Sequence, residues 1–365
     1  MYDLIVMGGG PAGTSAAITA VRNGARVLLL ERGRFPRHKV CGEFVSSESL
    51  NLLTKLLDLQ KGNFLREAVR ISATRIFLDD RILQAPIQPA AASVARLDLD
   101  NALWESAQAC GVEPRQLVTV QKVLASGPFG PFLVSTSEGT FESHAIINAS
   151  GRWSNLRRAS NGHPGTKWIG LKAHFAERSP VPSVDLYFFD GGYCGVQPVS
   201  LRTDSSQPRI NVCAMVRADL ASALSEVFEL HPALRERSAH WQPLIDPVSV
   251  APLLFGKPQP VRDGVLMAGD AAGFVDPFVG DGISLALRSG AMAAECLSPF
   301  FSGTVSLETA GRRYAEEYER KLAPVFRSSS RIRGMLRWPR AVRAPIVSFL
   351  SSSPATTSYL VRKTR

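Results

Sequence analysis

The chain has 365 residues, of which 45% are hydrophobic and 20% charged, a composition that excludes disorder and a fibrous repeat and allows two or three domains. Its formal net charge of +10 is local: Gly311–Arg365 holds 13 Lys/Arg against 3 Glu and the rest balances, which argues against a nucleic-acid-binding module. No run of about 18 apolar residues is present to span a membrane. The five cysteines (Cys41, Cys110, Cys194, Cys213, Cys296) form no C-x-x-C pair, and together with a start that lacks a secretory leader they suggest free thiols in a cytoplasmic protein.

In chain order, residues 2–7 (YDLIVM) read as a buried strand, Ala12–Arg22 as a helix packed on a sheet through Ala16, Ala17 and Ala20, and Ala25–Glu31 as a second strand. Further strands are predicted at 69–78, 117–125, 131–136 and 143–149, with a helix over Leu97–Ala109 stopped by Gly111. From about 167 to 260, short alternating runs such as WIGLKAHF, SVDLYFF and RINVCAMV predict a separate, mainly antiparallel sheet. A strand at 264–268, a helix near 281–297 and a helical tail interrupted by prolines complete the chain. The fold class is α/β with an α+β second domain.

Gly8-Gly9-Gly10-Pro11-Ala12-Gly13 lies between the first strand and the first helix in the pattern G-x-G-x-x-G. Gly8 permits the turn, Gly10 admits a pyrophosphate to the backbone, and Gly13 lets helix and strand pack closely, with the helix N-terminus facing phosphate. Glu31 ends the second strand, where its carboxylate would accept the ribose hydroxyls of an adenosine. The loop alone suits NAD as well as FAD.

The choice comes from elsewhere in the sequence. Gly264–Gly282 reads GVLMAGDAAGFVDPFVGDG, and with the first loop it resembles the FAD-dependent oxidoreductases built like para-hydroxybenzoate hydroxylase. Arg96, with Asp100 and Leu103, resembles the helix start of that fold whose arginine lies beside the flavin, with a surface salt bridge as the competing reading. Phe35–Glu43 (FPRHKVCGE) and Gly191–Pro198 (GGYCGVQP) resemble segments of the geranylgeranyl reductases. The resemblance runs to about Gly303 and implies a Rossmann-like domain over 1–68, 96–165 and 261–303. A substrate sheet would occupy 69–95 and 166–260, followed by a basic helical segment at 304–365.

On this resemblance, non-covalent FAD is held by the loop residues, including Pro11 and Ala12, by Glu31, and by Arg32, Arg37, Lys39, Cys41, Gly42, Arg96 and Gly151. Gly269, Asp270, Pro277, Gly280, Gly282 and Ile283 complete the set, with Asp270 on the ribityl chain and the helix that opens after Gly280 stabilising negative charge on the ring. Two positions depart from the aromatic hydroxylases: Gly273 replaces the histidine of their G-D-A-A-H, and Ser150-Gly151 in NASGRWS replaces their Asp-Gly. No W-x-W-x-I-P of the halogenases is present.

The implied activity is reduction of a lipophilic isoprenoid- or polyketide-like metabolite by hydride transfer at flavin N5, with NADPH or NADH as donor. A flavin monooxygenase, a flavin-dependent halogenase and a non-catalytic flavin-binding membrane-associated protein are the alternatives. Cys41 and Tyr193 are the candidate catalytic residues, each with core packing as the competing role. His38, His144, His163, His174, His231 and His240 lack ligand spacing, so no metal is expected, and His174 reads more readily as a satisfied buried histidine than as a cavity residue. In the tail, Arg327, Arg331, Arg333, Arg337, Arg340 and Arg343 alternate with Ile332, Met335, Leu336, Trp338 and Val342. Either 327–343 rests on an anionic membrane surface, making the protein peripheral, or the segment caps the substrate domain.

Overall fold

The computed structural model describes residues 1–57, 64–125, 127, 131–152, 167–201, 207–336 and 338–353. His163, Arg337 and the Trp153-Ser154 end of the NASGRWS motif lie outside the described residues. Strand β1 (Tyr2–Met7) leads through the glycine turn into α1 (Pro11–Arg22), which starts with Pro at its first position and ends before Gly24 in the left-handed region (φ +87°). Then come β2 (Val27–Glu31), β3 (Phe44–Val45), α2 (Ser47–Leu56), α3 (Phe64–Glu67), β4 (Val69–Leu78), β5 (Arg81–Ser93) and α4 (Arg96–Ala109). Next are β6 (Glu113–Gln116), β7 (Val120–Ala125), β8 (Phe132–Thr136), β9 (Gly139–Asn148), β10 (Trp168–Ala176), β11 (Ser183–Phe189), β12 (Gly192–Pro198) and β13 (Arg209–Arg217). The chain closes with α5 (Leu224–Glu229), α6 (Pro232–Ser238), β14 (Gln242–Pro243), β15 (Val248–Val250), β16 (Val261–Arg262), β17 (Val265–Met267), α7 (Gly282–Phe301), α8 (Leu307–Lys321), α9 (Ala323–Leu336) and α10 (Arg340–Ser352).

The first sheet runs β16-β17-β9-β1-β2-β6, with β17, β9, β1, β2 and β6 mutually parallel and β7–β8 as an antiparallel flap on β9. Strands buried on both faces read as continuous apolar runs, which is why Leu4–Val6 and Leu28–Leu29 are fully buried. Against this sheet α1 and α7 pack at close range. A Cβ on Gly290 would stand 2.0 Å from the Ala12 carbonyl oxygen, so glycine alone allows that approach. Ser15 Oγ seals the contact by donating to the Leu287 carbonyl at 2.7 Å.

The second sheet runs β14-β10-β13-β12-β11-β4-β5-β3 and is antiparallel except where β11 meets β4. Phe44–Val45, within the stretch expected to belong to the cofactor domain, pairs with Ala92–Ser93 of this sheet. That pairing places the segment before it, residues 37–43, along the seam between the two sheets. The β4–β5 hairpin turns through Asp79 and Asp80, both in the left-handed region (φ +51° and +61°). Aspartate tolerates that geometry better than most side chains, and the turn matches strand twist. Both carboxylates face α10: Asp79 takes a bidentate pair from Arg343 at 2.8 Å, and Asp80 pairs with Arg340. The tail therefore lies over the second sheet, with Val347 buried against Leu78 and Leu83. No helix among the described residues is long and apolar enough to cross a membrane.

Candidate active site

The glycine loop has the shape its sequence requires. Gly8 sits at φ +106° and its N–H donates to the Leu30 carbonyl at 2.7 Å; a Cβ on Gly13 would stand 1.7 Å from the Gly8 carbonyl oxygen. Gly10 precedes α1 without a side chain to cap it, leaving the first-turn amides open to an anion. Glu31 fixes the loop from below: one carboxylate oxygen accepts the Gly9 N–H at 2.8 Å, the other accepts Gly33 N–H at 2.7 Å and Arg37 Nη2 at 3.0 Å. Above it opens a cleft of about 380 Å³ lined by Gly8, Gly10, Glu31, Arg32, Arg37, Lys39, Gly151 and Asp270.

The cleft continues into a second cavity of about 150 Å³, the two sharing Gly10, Lys39, Val40, Ala149, Gly151, Arg152 and Asp270. Pro11, Ala12, Cys41, Gly42, Arg96, Tyr193, Gly269, Pro277, Gly280, Gly282 and Ile283 line this deeper part. Every cofactor residue expected from the sequence thus borders the cleft except Gly13, whose place is beneath the loop. Arg96 is not a surface salt bridge: it is buried, bound to Asp100 by two contacts of 2.7 Å, and exposes one edge to the cavity. Asp270 remains a third exposed, with Arg152 Nε 3.5 Å away. Gly269 (φ +59°) donates its N–H to Ser289 Oγ at 2.9 Å, and α7 points its N-terminus at the same cavity.

The far wall comes from the second sheet. Alternate residues of a strand share a face. On β13 this puts Asn211, whose amide donates to the Cys41 carbonyl at 3.2 Å, in line with Cys213 and Met215, which line the cavity. Tyr193 on β12, Leu253, Phe274 and Val275 make the wall apolar. Burial raises the Tyr193 phenol well above its ordinary range and, with the Cys41 thiol nearby, pushes the Cys213 thiol up to about 12. Both therefore hold their protons at neutral pH.

Sequence reasoning missed the charged cluster that anchors the 37–43 segment. Glu43, fully buried and at φ +59°, accepts the Arg96 N–H at 2.8 Å and Lys172 Nζ at 2.5 Å, and lies 2.8 Å from His174 Nε2. Its carbonyl takes the Val94 N–H at 2.8 Å. Burial alone would raise the Glu43 carboxyl, but the Lys172 ammonium and the His174 hydrogen bond override it and hold the group at about 2. His174 is fully buried in this cluster and outside the cavity lining. The available signal was Lys172 and His174 two apart on one strand, with a lone acid after Cys41-Gly42.

The glycine cradle, the open first turn of α1, Glu31 at the strand end and Asp270 at the junction of the two cavities fit a flavin dinucleotide, with its ring end in the deeper cavity. Residues 3–50 match the family model for FAD-dependent oxidoreductases. The chain is 25% identical over 345 residues to digeranylgeranylglycerophospholipid reductase 2 of Methanopyrus kandleri, covering 89% of this chain and 84% of that protein. It is 26% identical over 330 residues to the 1H-pyrrole-2-carbonyl-[peptidyl-carrier protein] brominase of Pseudoalteromonas luteoviolacea, covering 83% and 78%. The solved structure of a flavin-dependent brominase superposes with a TM-score of 0.80 at 20% identity, covering all of this chain and 93% of that one. Fold and site define an FAD-dependent oxidoreductase. Within that class its sequence is similar to both the reductase and the brominase, and its fold is shared with the flavin-dependent brominase structure.

Proposed function

We propose that the protein reduces a lipophilic, isoprenoid- or polyketide-like metabolite, with NADPH or NADH as electron donor. The observation that supports this is the apolar wall of Tyr193, Met215, Leu253, Phe274 and Val275, continuous with the ring end of the cofactor cleft. Bound FAD supplies two-electron redox chemistry there. The chain's own residues exclude water and orient an apolar partner, while the buried phenol of Tyr193 keeps a proton available beside the cavity. Cys41, lining the same cavity, is positioned by its backbone carbonyl through Asn211 and by Glu43 N–H, which donates to its Sγ at 3.3 Å. Five free cysteines suit a reducing cytoplasm, and an apolar substrate suits an enzyme that works peripherally at a membrane.

Halogenation is the second reading, supported by the likeness to the brominase. Both readings are tested on purified protein carrying FAD. Anaerobic NADPH or NADH is expected to bleach the oxidised flavin band, and an apolar alkene or quinone is expected to restore it with reduced product formed in the absence of oxygen. Product that requires oxygen alone would establish a monooxygenase, product that requires oxygen and halide a halogenase, and flavin that no donor reduces would leave a non-catalytic flavin-binding protein.

A further inference from the structure

Helix α10 is inside out. One of its two arginines faces the protein: Arg343, 12% exposed, holds both oxygens of Asp79, which is itself 5% exposed. Its apolar residues face solvent: Val342 is 53% exposed, Ile346 37% and Phe349 62%, with exposed Pro345 among them and Trp338, 46% exposed, just before the helix. The spacing of 342, 346 and 349 sets these side chains on one stripe of the helix. With Trp338 just before it, this short segment holds four of the eleven large hydrophobic side chains exposed among the described residues. A helix serving only as a cap would turn such residues inward, as it does Val347.

We propose that this outward face of α10 seats the enzyme on an anionic phospholipid surface. The segment that carries it is basic in sequence, and the acids beside it, Asp79, Asp80 and Asp190, are paired with Arg343 and Arg340. From Leu322 to Arg365 the chain carries Arg327, Arg331, Arg333, Arg337, Arg340, Arg343, Arg362, Lys363 and Arg365 and not one acidic residue. Arg340 is 63% exposed and its partner Asp80 80%, so their exposed pair exchanges readily for a lipid phosphate. Tryptophan at the rim of an apolar stripe suits the headgroup level.

The sequence pattern allowed either lipid contact along the whole of 327–343 or a cap over the substrate domain. The structure divides that stretch. Arg343 is drawn inward to Asp79, Arg333 lies 3.6 Å from Asp276 and over the Phe255 ring at 3.9 Å, and Leu336 packs against the Leu78–Val347 cluster. The lipid-facing surface is displaced to 338–349.

The placement bears on the proposed substrate. α9 contributes Ser330, Arg333 and Gly334 to an open hollow of about 470 Å³ shared with Trp168, Leu253, Leu254 and Phe255. Leu253 also lines the deep cavity of the cleft, so this one side chain stands between the hollow beside the C-terminal helices and the ring end of the site. This last step rests on the proposed lipophilic substrate; the docking itself does not.

Co-sedimentation of the FAD-loaded full chain with vesicles, in the absence of substrate, tests the docking. Vesicles of phosphatidylglycerol and phosphatidylcholine are expected to bind the wild type and pure phosphatidylcholine to bind it far less. The double variant Val342→Ser/Phe349→Ser, with flavin content intact, is expected to bind about tenfold more weakly or worse. A blue shift of tryptophan emission on anionic vesicles, reduced in Trp338→Phe, supplies a readout that does not depend on the double variant folding. Equal sedimentation of wild type and double variant, or no binding of the wild type, overturns the proposal. A wild-type dimer that the double variant dissociates, with no vesicle binding, assigns the face to a second copy instead. Flavin reduction and turnover of a water-soluble substrate analogue are expected to be unchanged in the double variant, which separates failure of the docking from failure of the proposed reaction.

Discussion

Glu43→Gln is the most informative single change, because it removes the one carboxylate that faces Lys172 in a place closed to water. A carboxyl held at about 2 rather than its ordinary 4.5 is about 3 kcal/mol more stable when ionised. Breaking a buried pair by removing one partner costs about 3–5 kcal/mol, since the other charge is left without compensation. Unfolding entropy of about 2.1 cal/mol/K per residue gives about 0.8 kcal/mol/K for 365 residues, so the expected fall in Tm is about 4–6 °C. Lys172→Met should cost a similar amount. The double variant Glu43→Gln/Lys172→Met should lose clearly less than the sum, because neither charge then remains buried alone. Thermal and urea denaturation followed by circular dichroism measure all three. A Glu43→Gln protein melting within 1 °C of the wild type, or additivity within about 0.5 kcal/mol, would refute the reasoning. The pH dependence has a definite sign. A depressed carboxyl contributes its full stability above about 4.5 and loses it as pH falls toward about 2. The wild type should weaken across that window more steeply than Glu43→Gln.

Gly13→Ala forces a Cβ to 1.7 Å from the Gly8 carbonyl oxygen and should reduce bound FAD to trace levels, read from the flavin-to-protein absorbance ratio. Tyr193→Phe keeps the ring packing against Phe188 and Phe278. If the phenol supplies the proton, turnover should fall about 10²- to 10⁴-fold with flavin content unchanged, whereas unaltered turnover would leave Tyr193 a packing residue. The two turn aspartates should separate sharply: Asp79→Asn weakens the shielded Arg343 pair and should cost about 1.5–3 kcal/mol. Asp80→Gly loses only an exposed pair while relieving a left-handed backbone, and should be neutral or stabilising in the same denaturation assay.

The parts of this fold legible in the sequence are those in which the backbone dictates the residue. Gly8 and Gly13 are needed by geometry whatever surrounds them, so their spacing announces the loop; the alternation in β10–β13 announces the second sheet. β6 gives no such signal: Glu-Pro-Arg-Gln becomes a strand because it lies at a sheet edge beside β2, where its proline withholds no necessary hydrogen bond. β5 hides behind Pro86 and Pro89, although Leu83, Ala85 and Ile87 alternate inward. The Glu43 cluster and the inverted α10 were illegible for a different reason. Each depends on partners far along the chain, with 129 residues separating Glu43 from Lys172 and 264 separating Asp79 from Arg343. An arginine that will meet a turn aspartate reads the same in sequence as one that will meet water or lipid.

The same distinction explains why reductase and halogenase relatives share one architecture. The cofactor half of the cleft is set by backbone constraints, Gly8, Gly13, Gly269 and the N-terminus of α7, which any chemistry on FAD would need in the same places. The substrate half is set by side chains on β12 and β13 and by Leu253 and Phe274, and these can change without disturbing a hydrogen bond of either sheet. Between the halves stands the 37–43 segment, held by Glu43 to Arg96 on the cofactor side and to Lys172 and His174 on the substrate side. A buried ion pair is a poor source of net stability but a strict constraint on register. Its value here lies in fixing where Cys41 and Lys39 meet the flavin end of the cleft, so that the wall opposite is free to vary with the substrate.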